Sequence, residues 1–135
     1  SPILDDKGPP LTNPAGRVHG YQYEIDLDAE RAVFWAGGVY DEARRLWLYP
    51  GSKGGDKDAF SKAGGAAIKQ NDWNLLRIEA SGTHIKTYIN GQLRADFHDD
   101  LDASGFIGLQ VHSIPDKPEL KGLKARFRNI RLKAL

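Results

Sequence analysis

An antiparallel β-sandwich is the fold class this sequence predicts, on three observations. Short apolar–polar alternations recur along most of the chain, turn dipeptides such as Ser81-Gly82, Asn90-Gly91 and Ser104-Gly105 separate them, and almost no stretch carries a helical period. The 135 residues suit one domain. A 40% hydrophobic content with three Trp, five Tyr and five Phe is enough to build a core and argues against disorder.

Taken in order, residues 1–19 open as Pro/Gly-rich loop material. Tyr21–Leu27 follows as a strand, with Tyr21, Tyr23, Ile25 and Leu27 on one face and Gln22, Glu24 and Asp26 on the other. Val33–Trp35 and Gly38–Tyr40 read as short strands flanking a bend, and Leu46–Tyr49 as another, closed by Pro50-Gly51. From Ser52 to Gln70 the Gly, Lys and Asp content predicts a mobile loop with one helical turn. Leu76–Ala80 is a strand whose Leu76, Ile78 and Ala80 face inward. His84–Ile89 and Gln92–Phe97 form a hairpin on Asn90-Gly91, because both turn residues tolerate positive φ. Phe106–His112 and Lys124–Leu132 complete the strand set, the latter with an irregularity at Asn129 where the apolar phase shifts.

The charge balance, 19 basic against 18 acidic residues, does not favour a nucleic-acid footprint. With no cysteine there are no disulfides, and no apolar run approaches the length of a membrane span.

The block Gly16–Trp47 concentrates ionisable groups, aromatics and a Gly37-Gly38 step, which suits a ligand site built on a sheet. Several stretches resemble the 3-keto-disaccharide hydrolase domain family: GRVHGYQYEID, GGVYDEARR, DWNLLRIEASGTHIKTYINGQ, SGFIGLQVHSI and FRNIRL, in the family's order. The resemblance implies a jelly-roll of the concanavalin-like lectin type, whose concave sheet holds a sugar. It also implies cleavage of glycosides oxidised to a ketone at carbon 3, and a periplasmic or secreted setting. Family members carry further strands upstream, so the expectation is a partial domain, completed by strands outside this sequence or by another polypeptide segment. A carbohydrate-binding module without catalysis, or a structural domain of a larger enzyme, are the alternatives.

A C3 ketone acidifies the hydrogen on C2. Elimination then needs a base at C2, a cation or donor at the ketone oxygen and an acid for the leaving oxygen. His19, Glu24, Asp41 and His112 are the candidate catalytic residues. Gln22, Asp26, Tyr40, Glu42, Arg44, Arg45, Trp47 and Gln110 are the candidate substrate contacts. His19 is either a metal ligand or base, or an exposed loop histidine. Glu24 and Asp26, two apart on one strand, share a face, and Glu24 with His19 or His112 can hold a divalent metal ion as Lewis acid. The plain alternative pairs Glu24 with Arg17 or Arg77. Asp41 or Glu42 can act as base, and Arg44 or Arg45 can bind sugar hydroxyls or polarise the ketone. Alternatively these residues form an Asp/Arg network fixing a loop. Gln110 and His112 share a predicted polar strand face. Trp35, Trp47 and Trp73 are possible pyranose platforms, with Trp47 favoured and Trp73 expected in the core. His84 and His98 are expected to face solvent. Asp99, Asp100 and Asp102 read as a solvated loop rather than a calcium site.

Overall fold

The structure, a computed structural model, describes residues 3–5, 8–11, 18–26 and 33–135. The chain divides into two compact units, Ser1–Ala103 and Ser104–Leu135.

Within the first unit, strands β1 (Ile3–Asp5) and β2 (Gly8–Leu11) pair antiparallel, so the expected opening loop holds a short hairpin. Strands β3 (Gly20–Tyr23), β4 (Val39–Glu42) and β5 (Leu46–Tyr49) form one antiparallel sheet. Helix α1 (Lys57–Ala67) leads to a second antiparallel sheet of β6 (Leu76–Ser81), β7 (His84–Ile89) and β8 (Gln92–His98). Val39 and Leu48 of the first sheet pack against Ile85, Ala95 and Phe97 of the second, with Tyr21 and Tyr49 against the cluster. The architecture is therefore an all-β antiparallel sandwich, as the alternation predicts. A second cluster, Ala36, Ala67, Ile68 and Ile89, joins α1 and the 33–36 segment to the end of β7. Leu48 and Ile89 are each 0% exposed. Burial of such a side chain stabilises by roughly 1.5–3 kcal/mol, so these two anchor their clusters.

Several elements differ from expectation for identifiable reasons. The strand at Tyr21 ends at Tyr23, although Glu24 still exchanges backbone bonds with Gly38 and Gly37 at 2.9 and 3.0 Å. Ile25 lies beyond that pairing and is exposed, while Leu27 falls outside the described residues. Val33–Trp35 is not a strand, because its backbone turns towards the helix: Phe34 N–H donates to Ser61 Oγ at 2.9 Å. The Gly-rich loop contains a full helix. Asp56 caps it by accepting from Ala59 N–H at 2.8 Å, and Phe60, Gly64 and Ala67 form its buried stripe. Gly64 and Gly65 look like helix breakers but provide clearance. A Cβ on Gly64 would lie 2.4 Å from Arg94 Nη2, and one on Gly65 would lie 2.9 Å from the Phe34 ring.

Arg94 explains that clearance. Its guanidinium donates to the carbonyls of Ala36, Phe60 and Phe34 at 2.9, 2.8 and 3.1 Å and sits 3.7 Å from the Phe60 ring centroid. Burial among carbonyls lowers its pKa. The Asn90-Gly91 turn has positive φ at both residues, 49° and 82°. Asn90 does more than turn: its amide donates to Ala67 O and Asn74 Oδ1, and its Oδ1 accepts from Leu75 N–H. On β6, Ile78 and Ala80 share a face with inward residues of β7 yet stay exposed. Trp73, expected in the core, is 42% exposed.

The second unit contains a 3₁₀ turn at Pro118–Leu120 and no strand. The expected strands Phe106–His112 and Lys124–Leu132 keep their alternation in sequence but have no hydrogen-bonded ladder, and alternation without a partner makes no sheet. Asn129 has φ of 56°, at the position where the apolar phase shifts. No described helix is long and apolar enough to cross a membrane.

Candidate functional site

Cross-strand partners share a sheet face, so the register of β3–β4–β5 sorts the candidate residues. Tyr21 lies opposite Asp41 and Tyr23 opposite Val39, on the inward face. Gln22 lies opposite Tyr40, and Tyr40 opposite Trp47, on the outer face; Gly20 and Glu42 form the next outer pair. Gln22, Glu24, Tyr40, Glu42 and Trp47 are all half-buried. Gln22 Nε2 donates to Glu24 Oε2 at 3.0 Å, while the buried Gln22 Oε1 has no hydrogen-bond partner among the described residues. An amide oxygen of this kind can accept a ligand hydroxyl.

Aromatic rings continue this face. Trp47 meets Tyr40 edge-on at 5.3 Å and Trp35 at 5.3 Å, tilted by 40°. The Gly38 backbone makes room, since a Cβ there would sit 2.9 Å from Trp47 Cζ3. The outer face thus combines two carboxylates, an amide, a phenol and an indole, the groups that grip a sugar by its hydroxyls and its CH-rich face.

The inward face carries a different constellation. Asp41 is 0% exposed and accepts from Arg44 Nε at 2.6 Å and Arg45 Nε at 2.5 Å. Arg44 reaches Asp102 at 2.5 Å, and Arg45 makes bonds of 2.8 and 3.1 Å to Asp99, which Lys53 approaches to 3.2 Å. Tyr21 donates its phenolic proton to Asp99, and its ring lies under Arg44 at 5.7 Å. Three carboxylates thus face three cations. Burial alone would raise the Asp99 pKa, but bonds from Arg45 and Tyr21 outweigh it and hold the carboxyl well below the usual range. Burial likewise works against the charge on both arginines. The bonds to Asp102 and Asp41 for Arg44, and to Asp99 and Asp41 for Arg45, prevail and raise both. Tyr21 is pushed up to about 12, first by burial and then by its bond to Asp99.

Asp41, Arg44 and Arg45 therefore lie together in a loop-fixing network, the alternative weighed for them from sequence. Both Asp41 oxygens and both guanidinium groups are engaged by protein. Asp99 and Asp102, expected in a solvated loop, are partners in it. A sequence signal points to them: an Arg44-Arg45 pair calls for more acid than Asp41 supplies, and the 99–102 cluster holds the surplus.

His19 is exposed, immediately before the Gly20–Glu42 pair at the start of β3. Asp26 is half-buried beyond the end of β3. Arg77, offered as a partner for Glu24, pairs with Glu79, and Arg17 lies outside the described residues. Gln110 and His112 belong to the second unit, where His112 Nδ1 is 2.9 Å from Ser113 O. His84 and His98, expected to face solvent, lie directly opposite one another on β7 and β8 with rings stacked at 4.4 Å. No three of His, Cys, Asp and Glu group into a metal site among the described residues, so the expected pairing of Glu24 and His19 gains no third ligand.

Residues 7–133 match the 3-keto-alpha-glucoside-1,2-lyase-like domain, and no curated protein matches the chain.

Proposed function

The chain belongs to the 3-keto-alpha-glucoside-1,2-lyase-like domain family, a jelly-roll-like domain, and on that premise we propose that it cleaves glycosides oxidised at C3, using the outer face of β3–β4–β5. The family supports a glycoside-processing role with carbohydrate as the ligand. The finer reading rests chiefly on one observation: Glu24 shares a half-buried face with Gln22, Tyr40, Glu42 and Trp47.

The sugar ring stacks on Trp47, with Gln22, Tyr40 and Glu42 bonding its hydroxyls. Glu24, as carboxylate, removes the proton from C2, and the electron pair is held as the enolate of the C3 ketone. Donors at the ketone oxygen stabilise that charge, and the Gln22 amide and Tyr40 hydroxyl are the outer-face groups of this type. Collapse of the enolate forms the C1–C2 double bond and expels the glycosidic oxygen, which takes its proton from His19 at the mouth of the strand. Water then adds across that double bond, hydroxyl to C1 and proton to C2, giving the free 3-keto sugar. In this reading Asp41, Arg44 and Arg45 position β4 and do not touch substrate.

The test is incubation with a 3-keto-glucoside while following aglycone release. Glu24→Gln keeps the shape of the face and removes the base, so release is expected to fall at least 100-fold, within the usual ~10²–10⁴ for general base catalysis. Unchanged release in that variant removes Glu24 from the mechanism. Sugar binding without any release by the parent chain identifies a binding module instead, which the Trp35–Trp47–Tyr40 strip alone would serve.

A further inference from the structure

The sheet of β6, β7 and β8 ends on one side at β6, and among the described residues no strand pairs with it there. The opposite edge is protected. β8 is bulged at Arg94, whose guanidinium ties it to the carbonyls of Phe34, Ala36 and Phe60. β6 has none of the devices that blunt an edge: its ladder with β7 runs without a register shift, and Leu76–Ser81 holds neither proline nor lysine. We infer that β6 is a self-association surface, pairing antiparallel with β6 of a second copy about a two-fold axis through Ile78. The inference is independent of the reading of the outer face of β3–β4–β5.

The backbone sets the register. Asn90 N–H donates to Leu75 O at 2.8 Å, and bonded pairs alternate along an antiparallel ladder, so Arg77, Glu79 and Ser81 also turn their polar groups to β7. Leu76, Ile78 and Ala80 therefore turn theirs to the open edge. An axis at Ile78 sets that residue against its own copy and Leu76 against Ala80 of the other, and these pairs exchange about six hydrogen bonds. The side chains agree. Directly opposed residues share a face, so Arg77 of each copy stands against Glu79 of the other, two pairs of opposite charge. Moving the axis by one residue either way sets Arg77 or Glu79 against itself, which selects Ile78 as the centre. Within one copy Arg77 already pairs with Glu79 and lies 5.2 Å from the Tyr88 ring centroid, so both charges are held on the face where the partner's would meet them. On the other face Ile78 is 58% exposed although Thr87, opposite it on β7, is buried. Pairing gives that isoleucine an apolar neighbour and extends the inward row across both copies.

Sedimentation velocity of the whole chain across roughly 1–500 µM reads the association, which is expected to be concentration-dependent. Ile78→Pro removes the N–H at the centre of the contact. That N–H faces the edge, so the variant loses no bond to β7 and is expected to keep the parent's urea midpoint while staying monomeric. Charge reversal tests the register without touching the backbone. Arg77→Glu and Glu79→Arg, each alone, set like charges opposite one another at both pairs, and each is expected to raise the dissociation constant about tenfold. An equimolar mixture of the two sets both acids of one copy against both bases of the other, so association is expected to return. A parent that is monomeric throughout, or a dimer indifferent to Ile78→Pro, overturns the inference. So does a mixture of the charge variants that associates no better than either alone, since that result excludes the axis at Ile78.

Discussion

Asp41→Asn tests the inward network most directly. The carboxylate is 0% exposed and holds Arg44 at 2.6 Å and Arg45 at 2.5 Å. Asn keeps the shape but removes one of three negative charges, and its NH₂ directs a donor at a guanidinium that offers only donors. Breaking a buried ion pair from one side costs about 3–5 kcal/mol. Arg44 keeps Asp102 and Arg45 keeps Asp99, so the lower end applies and the expected loss is about 3 kcal/mol. At a urea m-value of about 1.5 kcal/mol/M, the unfolding midpoint should fall by about 2 M. Tryptophan fluorescence reports it, since Trp35 and Trp47 sit in the same unit. A loss below about 1 kcal/mol, the level of a surface pair, would refute the buried network.

Two further perturbations probe the frame. Gly64→Ala normally stabilises a helix by up to about 1 kcal/mol, but here the new Cβ meets Arg94 Nη2 at 2.4 Å and Phe34 O at 2.9 Å, so a net loss is expected in the same urea assay; a stabilised variant refutes the tight contact. Tyr21→Phe acts on alkaline stability. The folded state keeps a proton to about pH 12 that the unfolded chain releases near 10, so the contribution is full below pH ~10 and lost as pH rises towards 12. Burial raises Tyr23 as well, so the variant should lose stability less steeply than the parent between pH 10 and 12, not become insensitive to pH. Equal slopes for parent and variant refute the Tyr21–Asp99 bond.

What could be read from the sequence followed short-range rules. β5 and β7 have the expected limits, and β8 runs one residue past its own, because turn chemistry at Asn90-Gly91 and period-two alternation are local. The helix was hidden because Gly64 and Gly65 break a pattern in sequence but leave room for Arg94 and Phe34 in space. The clamp made by Asn90 is equally non-local, joining residues 16 and 23 positions away. Asp99 reaches Tyr21 across 78 positions, which no spacing rule reveals. At the site, alternation placed Gln22 and Glu24 together correctly. Asp41 lies on the opposite face from its neighbours Tyr40 and Glu42, a separation in space that adjacency in the chain conceals.

That parity separates stability from activity. β4 sends Val39 and Asp41 inward and Tyr40 and Glu42 outward, so one four-residue strand is held by ion pairs on one side and carries proposed sugar contacts on the other. Arg44 and Arg45 extend the hold to Asp102 and Asp99, which follow β8, fixing β4 against the second sheet. Nothing on the inward side needs to change when a sugar arrives outside. Substitutions at Asp41, Arg44 or Asp99 should therefore lower unfolding midpoints while leaving KM for a 3-keto-glucoside near its parent value below the transition. Glu24→Gln should do the reverse, since its half-buried side chain accepts from Gln22 on the outer face and lies outside the core cluster. A variant of Asp41 that stays fully folded but loses aglycone release would break this division and return Asp41 to the chemistry.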